Sequence, residues 1–140
     1  MIVVPDVAEI ELMKKVLKDE NFILKLYRND YTPDSDSLLS SFTEANFDGY
    51  GQKLLVKTSW TGPTTVSPTA PCTDNLASAT YAEQSWTCGS VGNTVYGYYV
   101  VGATTGKLMW ADEFASERNL GDSDVLRIIP KFTLRTQIPC

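Results

Sequence analysis

The stretch Asn93–Phe114, NTVYGYYVVGATTGKLMWADEF, decides how the rest of the chain is read. Val95, Tyr99 and Val101 share one parity, and Tyr96, Tyr98 and Val100 share the other. A period of two rich in aromatic and β-branched residues predicts a strand. The ATTGK segment supplies a glycine-bearing turn, so the stretch reads as a hairpin. A strand that is apolar on both faces of an antiparallel sheet must be covered on both sides. One cover is expected to be the domain's own core, with Leu108 and Trp110 beside it. The other is expected to be an N-terminal helix or a neighbouring subunit, which makes Tyr96 and Tyr98 candidate contact residues. Aromatic residues at strand spacing read as scaffold before ligand platform.

Upstream, PDVAEIELMKKVLK predicts one helix over about residues 6–18. Asp6 is the expected N-cap, with Glu9 completing a capping box. Acidic residues come early and Lys14, Lys15 and Lys18 late, in keeping with the helix dipole. Val7, Ile10, Met13 and Leu17 form the expected buried face. NFILKLYRND then alternates Phe22, Leu24 and Leu26 against Ile23, Lys25 and Tyr27, as a strand does. YTPDSDSLLSSFTEANFDG predicts a long loop with one helical turn near Ser37–Phe42. YGQKLLVKTSW returns to strand, with Leu54 and Val56 expected inward and Lys53 and Lys57 outward.

The Pro/Thr-rich run over about residues 61–78 contains Pro63, Pro68 and Pro71, which exclude a continuous central strand and predict a surface excursion or an edge segment. ATYAEQSWTC reads as one strand and ASERNLGDSD as a polar loop. In DVLRIIPKFTLRT, Leu126, Ile128, Phe132 and Leu134 alternate with basic residues, and Pro130 marks an edge or a bulge. The expected fold is therefore mainly β: an antiparallel β-sandwich or open barrel of about six strands with one N-terminal α-helix. At 140 residues the chain is expected to form a single domain, 1–140, with a core that needs no metal.

Charge and composition narrow the function. A net charge of −5 with scattered basic residues argues against nucleic acid as a partner. No apolar run reaches bilayer length, so no membrane is expected, and the N-terminus lacks the order of a signal peptide. Histidine is absent, which removes the usual general base and the commonest metal ligand. Asp30, Asp34 and Asp36 resemble a calcium loop only loosely, lacking its glycine and closing Glu; turn formation is the expected role. Asp112 and Glu113 facing Asp122 or Asp124 would be needed for carboxylate hydrolysis, and no flanking motif supports that. No enzyme and no cofactor is expected. Cys72 and Cys88 are a candidate disulfide, worth roughly 3 kcal/mol in the chain-entropy picture, against the alternative of two reduced thiols; Cys140 is expected to be free.

The order of segments resembles a pattern in small virion structural proteins of tailed bacteriophages. It is carried by LKLYRNDYTPDSDSLLSSFTEANFDGYGQKLL, by TVYGYYVVGATTGKLMWADEF and by IIPKFTL, and spans about Asn21 to Thr136. The Pro/Thr/Cys-rich excursion is the unmatched part. The resemblance implies a capsid cement (decoration) protein, made in the host cytoplasm and placed on the capsid surface of the virion. Its implied partner is the major capsid protein, with homo-oligomers such as trimers suiting a local symmetry axis. The expected subunit or capsid contacts are Ile2, Val3, Val4, Tyr31, Phe42, Trp60, Val66, Tyr96 and Tyr98. The alternative is a tail- or fibre-associated module binding host-surface glycan, with Trp60, Tyr31 or Tyr81 as the stacking face.

Overall fold

The computed structural model describes residues 2–135. The fold is mainly β and of the β-sandwich-like class: one N-terminal helix and, among the described residues, nine strands, all paired antiparallel. The chain divides into two compact units built from interleaved segments.

The larger unit runs Asn21–Leu55 and Glu83–Ile128. Its main sheet contains β1 (Phe22–Tyr27), β2 (Lys53–Leu55), β6 (Thr94–Gly102) and β7 (Leu108–Asn119), in the order β2-β1-β6-β7. The opening hairpin is therefore β6 and β7, turning at 103–107 with Gly106 at φ 69°. β6 lies inside the sheet and is buried on both parities, as its two-sided apolar pattern requires. The register sets Leu26 against Tyr98 and Leu24 against Val100 on one face, and Lys25 against Tyr99 and Ile23 against Val101 on the other. On the first face Phe22 meets Trp110 edge-on at 5.2 Å. On the second, Tyr27, Phe42, Tyr99 and Val101 form a buried cluster against which Leu108 and Ala111 pack.

Gly97 shows how tightly the hairpin is fitted. It stands opposite Tyr27 on one neighbour and Glu113 on the other. A Cβ there would fall on the Asp112 carbonyl and 2.7 Å from the Tyr27 hydroxyl oxygen, so the glycine inside YGYY is a close-approach position. The long loop between β1 and β2 carries a 3-10 turn, Leu39–Ser41, where one helical turn was expected. A small second sheet pairs β5 (Gln84–Thr87) with β8 (Val125–Ile128).

The other unit comprises the N-terminal segment to Glu20, Val56–Ala82 and the chain from Ile129 on. Helix α1 (Asp6–Asp19) packs on β3 (Thr61–Val66) and β4 (Leu76–Thr80); β4 also pairs with β9 (Lys131–Leu134), giving the order β3-β4-β9. The proline-rich run thus forms an edge strand, with a cis Gly62–Pro63 bond and an irregular register between Thr61 and Thr64. Pro63 sits where no ladder donor is required of it.

Several local expectations are corrected. Pro5, not Asp6, is the N-cap, and its carbonyl accepts from the Ala8 and Glu9 amides. Asp6 is the first helical residue and accepts from Asn75 Nδ2 at 3.0 Å. The buried helical stripe is Glu9, Met13 and Leu17, while Val7 is 74% exposed. In β2 Leu55 is buried and Leu54 exposed. The register explains this: Leu55 lies opposite fully buried Phe22, and Lys53 opposite Leu24 with its ammonium 5.3 Å from the Trp86 ring.

The segments read as single strands at 79–88 and 124–136 are each divided between the two units, which raises the strand count. β4 ends at Thr80 and β5 begins at Gln84; β8 ends at Ile128 and β9 begins at Lys131. Both breaks end a pairing, β5 with β8 and β4 with β9. Pro130 is buried at the second, its carbonyl accepting from the Tyr81 amide at 2.9 Å.

Candidate functional site

Among the described residues, the smaller unit has a cavity of about 440 Å³. Helix α1 contributes Lys14, Leu17 and Lys18, the segment entering β3 contributes Lys57, Thr58 and Trp60, and the start of β3 contributes Gly62 and Pro63. Leu17 is buried and gives the floor an apolar base. Trp60 packs edge-on against Tyr81 at 5.3 Å. Tyr81 is itself held by the Val56 amide, which donates to its hydroxyl at 3.0 Å. Lys14 pairs with Glu11 at 3.0 Å across one helical turn, and both side chains are well exposed. The Lys14 ammonium accordingly holds the Glu11 carboxyl below its usual value. Sequence reasoning took the helical lysines as complements of the helix dipole and expected no basic stripe. Lys14 and Lys18 at i, i+4 share one side of α1, and their meeting with Lys57 required the fold.

A second cavity, about 460 Å³, lies in the larger unit between the loop Pro33–Ser37 and Leu108–Ala111 of β7. Asp34 Oδ1 accepts from the Asp36 amide at 2.9 Å and from the Ser37 hydroxyl at 3.2 Å, which is the turn-forming role expected of this acidic loop. Among the described residues, no group of three or more His, Cys, Asp or Glu is placed to hold a metal.

The four acids considered for hydrolysis are engaged separately. Glu113 accepts from the Thr32 hydroxyl at 3.2 Å, and with Asp112 it lies near Tyr27. Asp124 accepts from the Gly121 amide at 2.7 Å, and with Asp48 and Asp122 it lies near Cys88. Burial first, and these carboxylates second, push the Cys88 thiol up.

Cys88 is a free, buried thiol, so the Cys72–Cys88 bridge is not made. Its Sγ lies 3.5 Å from the Gly89 carbonyl and 3.6 Å from that of Val91, which share its single proton and keep it inside its own turn. Cys72 is disulfide-bonded and its sulfur accepts from Arg135 at 3.3 Å; Cys140 lies outside the described residues.

The expected contact residues divide. Ile2 is 94% exposed, and Val3 and Val66 are also exposed, whereas Val4, Tyr31, Trp60 and Tyr96 are half-buried. Phe42 and Tyr98 are core residues and are withdrawn as surface contacts. Phe42 stacks on Tyr99 at 4.7 Å with rings 10° from parallel, and meets Tyr27 and Tyr31 edge-on. Tyr98 sits on an inner strand between Leu26 and Asp112. Leu38 and Leu39, apolar residues of the loop around Tyr31 to Phe42 that was expected to be a contact element, are exposed.

Compared with known proteins, the chain matches no family model, no curated protein and no solved structure. No helix among the described residues is long and apolar enough to cross a membrane.

Proposed function

We propose that the chain is a non-enzymatic structural protein of a tailed-bacteriophage virion, a capsid cement protein that binds the outside of the major capsid protein shell. In this role it bridges neighbouring subunits, acts in several copies as a closed oligomer such as a trimer, and stiffens the shell. The observation that carries the reading is the set of large apolar side chains left exposed away from both cores. Ile2 and Val3 precede α1, Val66 lies on edge strand β3, and Leu38 and Leu39 lie on the long loop. Such groups bury area on a partner, and repeated copies multiply modest contacts into firm attachment. The ordered LYRND, YGYYV and IIPKFTL segments supply the resemblance to virion proteins.

The test compares capsids with and without the protein under heat and osmotic shock. Capsids lacking it are expected to release their contents at lower temperature; equal resistance overturns the reading. A second reading, a tail- or fibre-associated module binding host-surface glycan, is favoured by the Trp60 cavity. Tyr31 packs edge-on against Phe42, and Trp60 against Tyr81. Copy number separates the two: many copies on the head mean cement, a few at the tail mean adhesion.

A further inference from the structure

We propose that the loop between β1 and β2 anchors the partner contact: Leu38 and Leu39 form a fixed apolar knob that enters an apolar cleft rimmed by lysine or arginine on the partner protein. The inference rests on the cement reading and goes beyond it by naming the anchoring loop and the chemistry of the surface it meets.

Exposure is the first argument. Leu38 is 64% and Leu39 43% exposed, although the same loop buries Phe42 in the core and half-buries Tyr31. The loop thus sorts its apolar side chains, aromatic ones inward and the two leucines outward. An outward pair of leucines gains free energy only where a partner removes it from water.

Rigidity is the second. The leucines stand at the head of the 3-10 turn Leu39–Ser41. Ser41 closes that turn twice: its amide donates to the Leu38 carbonyl at 2.9 Å, and its hydroxyl accepts from the Leu38 amide at 3.1 Å. Asn29, just beyond β1, ties the turn down. Its Nδ2 donates to the Ser41 carbonyl at 2.9 Å and its Oδ1 accepts from the Thr43 amide at 2.7 Å. The next residue, Phe42, is stacked on Tyr99. A knob fixed before the partner arrives lowers the ordering cost of binding.

Charge is the third, and it selects the partner. The larger unit carries eleven acidic and six basic residues and the smaller six of each, so the whole net charge of −5 belongs to the larger unit. Within it, residues 29–43 contain Asp30, Asp34 and Asp36 and no lysine or arginine. All three aspartates are exposed. Exposed Glu113 joins them, accepting from the Thr32 hydroxyl at 3.2 Å. Arg28, which precedes the loop, has its Nε on the Glu44 carbonyl at 3.2 Å. A rim of one sign steers and selects the opposite sign. Nucleic acid, an anionic lipid surface or the same face of a second copy would meet like charge here. An uncharged saccharide would leave the leucines without apolar cover. An apolar cleft between lysine or arginine side chains satisfies both the knob and its rim.

The test is binding of the full chain to capsids assembled without it, followed by co-sedimentation over a range of salt. Leu38→Ser combined with Leu39→Ser is expected to weaken binding about ten-fold or more, since both leucines forfeit their burial. The melting temperature should not change, because both side chains are exposed. Asp30→Asn combined with Asp36→Asn is expected to weaken binding about five-fold at low salt and to converge on the native chain at high salt, where the charges are screened. A photo-crosslinking amino acid at position 39 is expected to bond to a capsid-protein segment containing lysine or arginine. Leucine variants that bind as tightly as the native chain would overturn this anchor while leaving the cement reading standing on Ile2, Val3 and Val66. Aspartate variants that bind equally or more tightly at low salt would overturn the basic rim and with it the proposal. Cross-linking of position 39 to a second copy of the chain would make the knob a contact between copies and overturn the proposal too. A native chain that binds no capsid at any salt would remove the cement reading itself, and this inference with it.

Discussion

Truncating Phe42 to alanine tests whether the long loop belongs to the core or offers its aromatic ring to a partner. The side chain is 8% exposed and touches Tyr27, Tyr31 and Tyr99. A buried aromatic removes about 150 Å² or more from water. At about 25 cal/mol per Å² that is about 4 kcal/mol for the whole side chain, and the retained Cβ keeps about 1 kcal/mol of it. Losing the parallel stack on Tyr99 and the two edge-on contacts adds about 1 kcal/mol. Half-buried Tyr31 can settle partway into the space and recover some of this. The expected loss is about 3 to 4 kcal/mol, within the range measured for Phe-to-Ala changes in cores. Urea denaturation is the assay: the midpoint should fall with the slope unchanged. Phe42→Leu, which fills most of the volume, should lose about 1 kcal/mol. A loss below about 1 kcal/mol for Phe42→Ala, at constant slope, would refute the core assignment. If that variant instead kept full stability but no longer stayed on capsids, the ring would be a contact after all.

The remaining predictions concern the hairpin and its tyrosines. Gly97→Ala should cost about 3 kcal/mol or more, the upper end for overpacking, because the new methyl meets the Asp112 carbonyl and the Tyr27 ring; Gly51→Ala, with open space around it, is the control and should be close to neutral. A loss below about 1 kcal/mol at Gly97 in thermal or urea melts would show that the sheet is looser than drawn. The tyrosines should titrate late. Burial, with Glu44 second, pushes Tyr99 up to about 12. Burial likewise raises Tyr27, aided by Glu113 and Asp112, and Tyr50, whose hydroxyl donates to Glu44 at 2.8 Å. For an acid whose folded pKa exceeds the unfolded value near 10, the folded state keeps its proton longer. Stability is therefore complete below about pH 10 and falls from there to about pH 12 as the unfolded chain ionises first. Ultraviolet titration should show these three ionising only with unfolding, and Tyr27, Tyr50 and Tyr99 titrating near pH 10 in the folded chain would contradict it.

What the sequence made legible follows from how many independent signals each segment carried. In Thr94–Gly102 the two parities, the aromatic content and the following turn all pointed one way, and the structure has an inner strand buried on both faces. Phe22–Tyr27 and Val125–Ile128 were similarly over-determined, and Leu126 and Ile128 are buried as their alternation required. The helix face was read correctly at Met13 and Leu17 and wrongly at Val7, because it rested on apolarity alone. A stripe through Glu9, Met13 and Leu17 differs from the expected Val7 stripe chiefly in accepting one buried carboxylate, and periodicity has no means of proposing that. Leu54 and Leu55 are adjacent residues of the same type, so which one faces in was settled by the partner strand and not by anything local. The breaks at Thr80 and at Pro130 were hidden because each half keeps strand character; only the exchange of pairing partners between sheets shows that there are two strands. The lysine cavity was illegible for the same reason in stronger form. Lys14 and Lys18 sit on α1, while Lys57 lies far along the chain, three residues before Trp60. Each looks like an ordinary solvated cation until the packing of α1 against β3 gathers them.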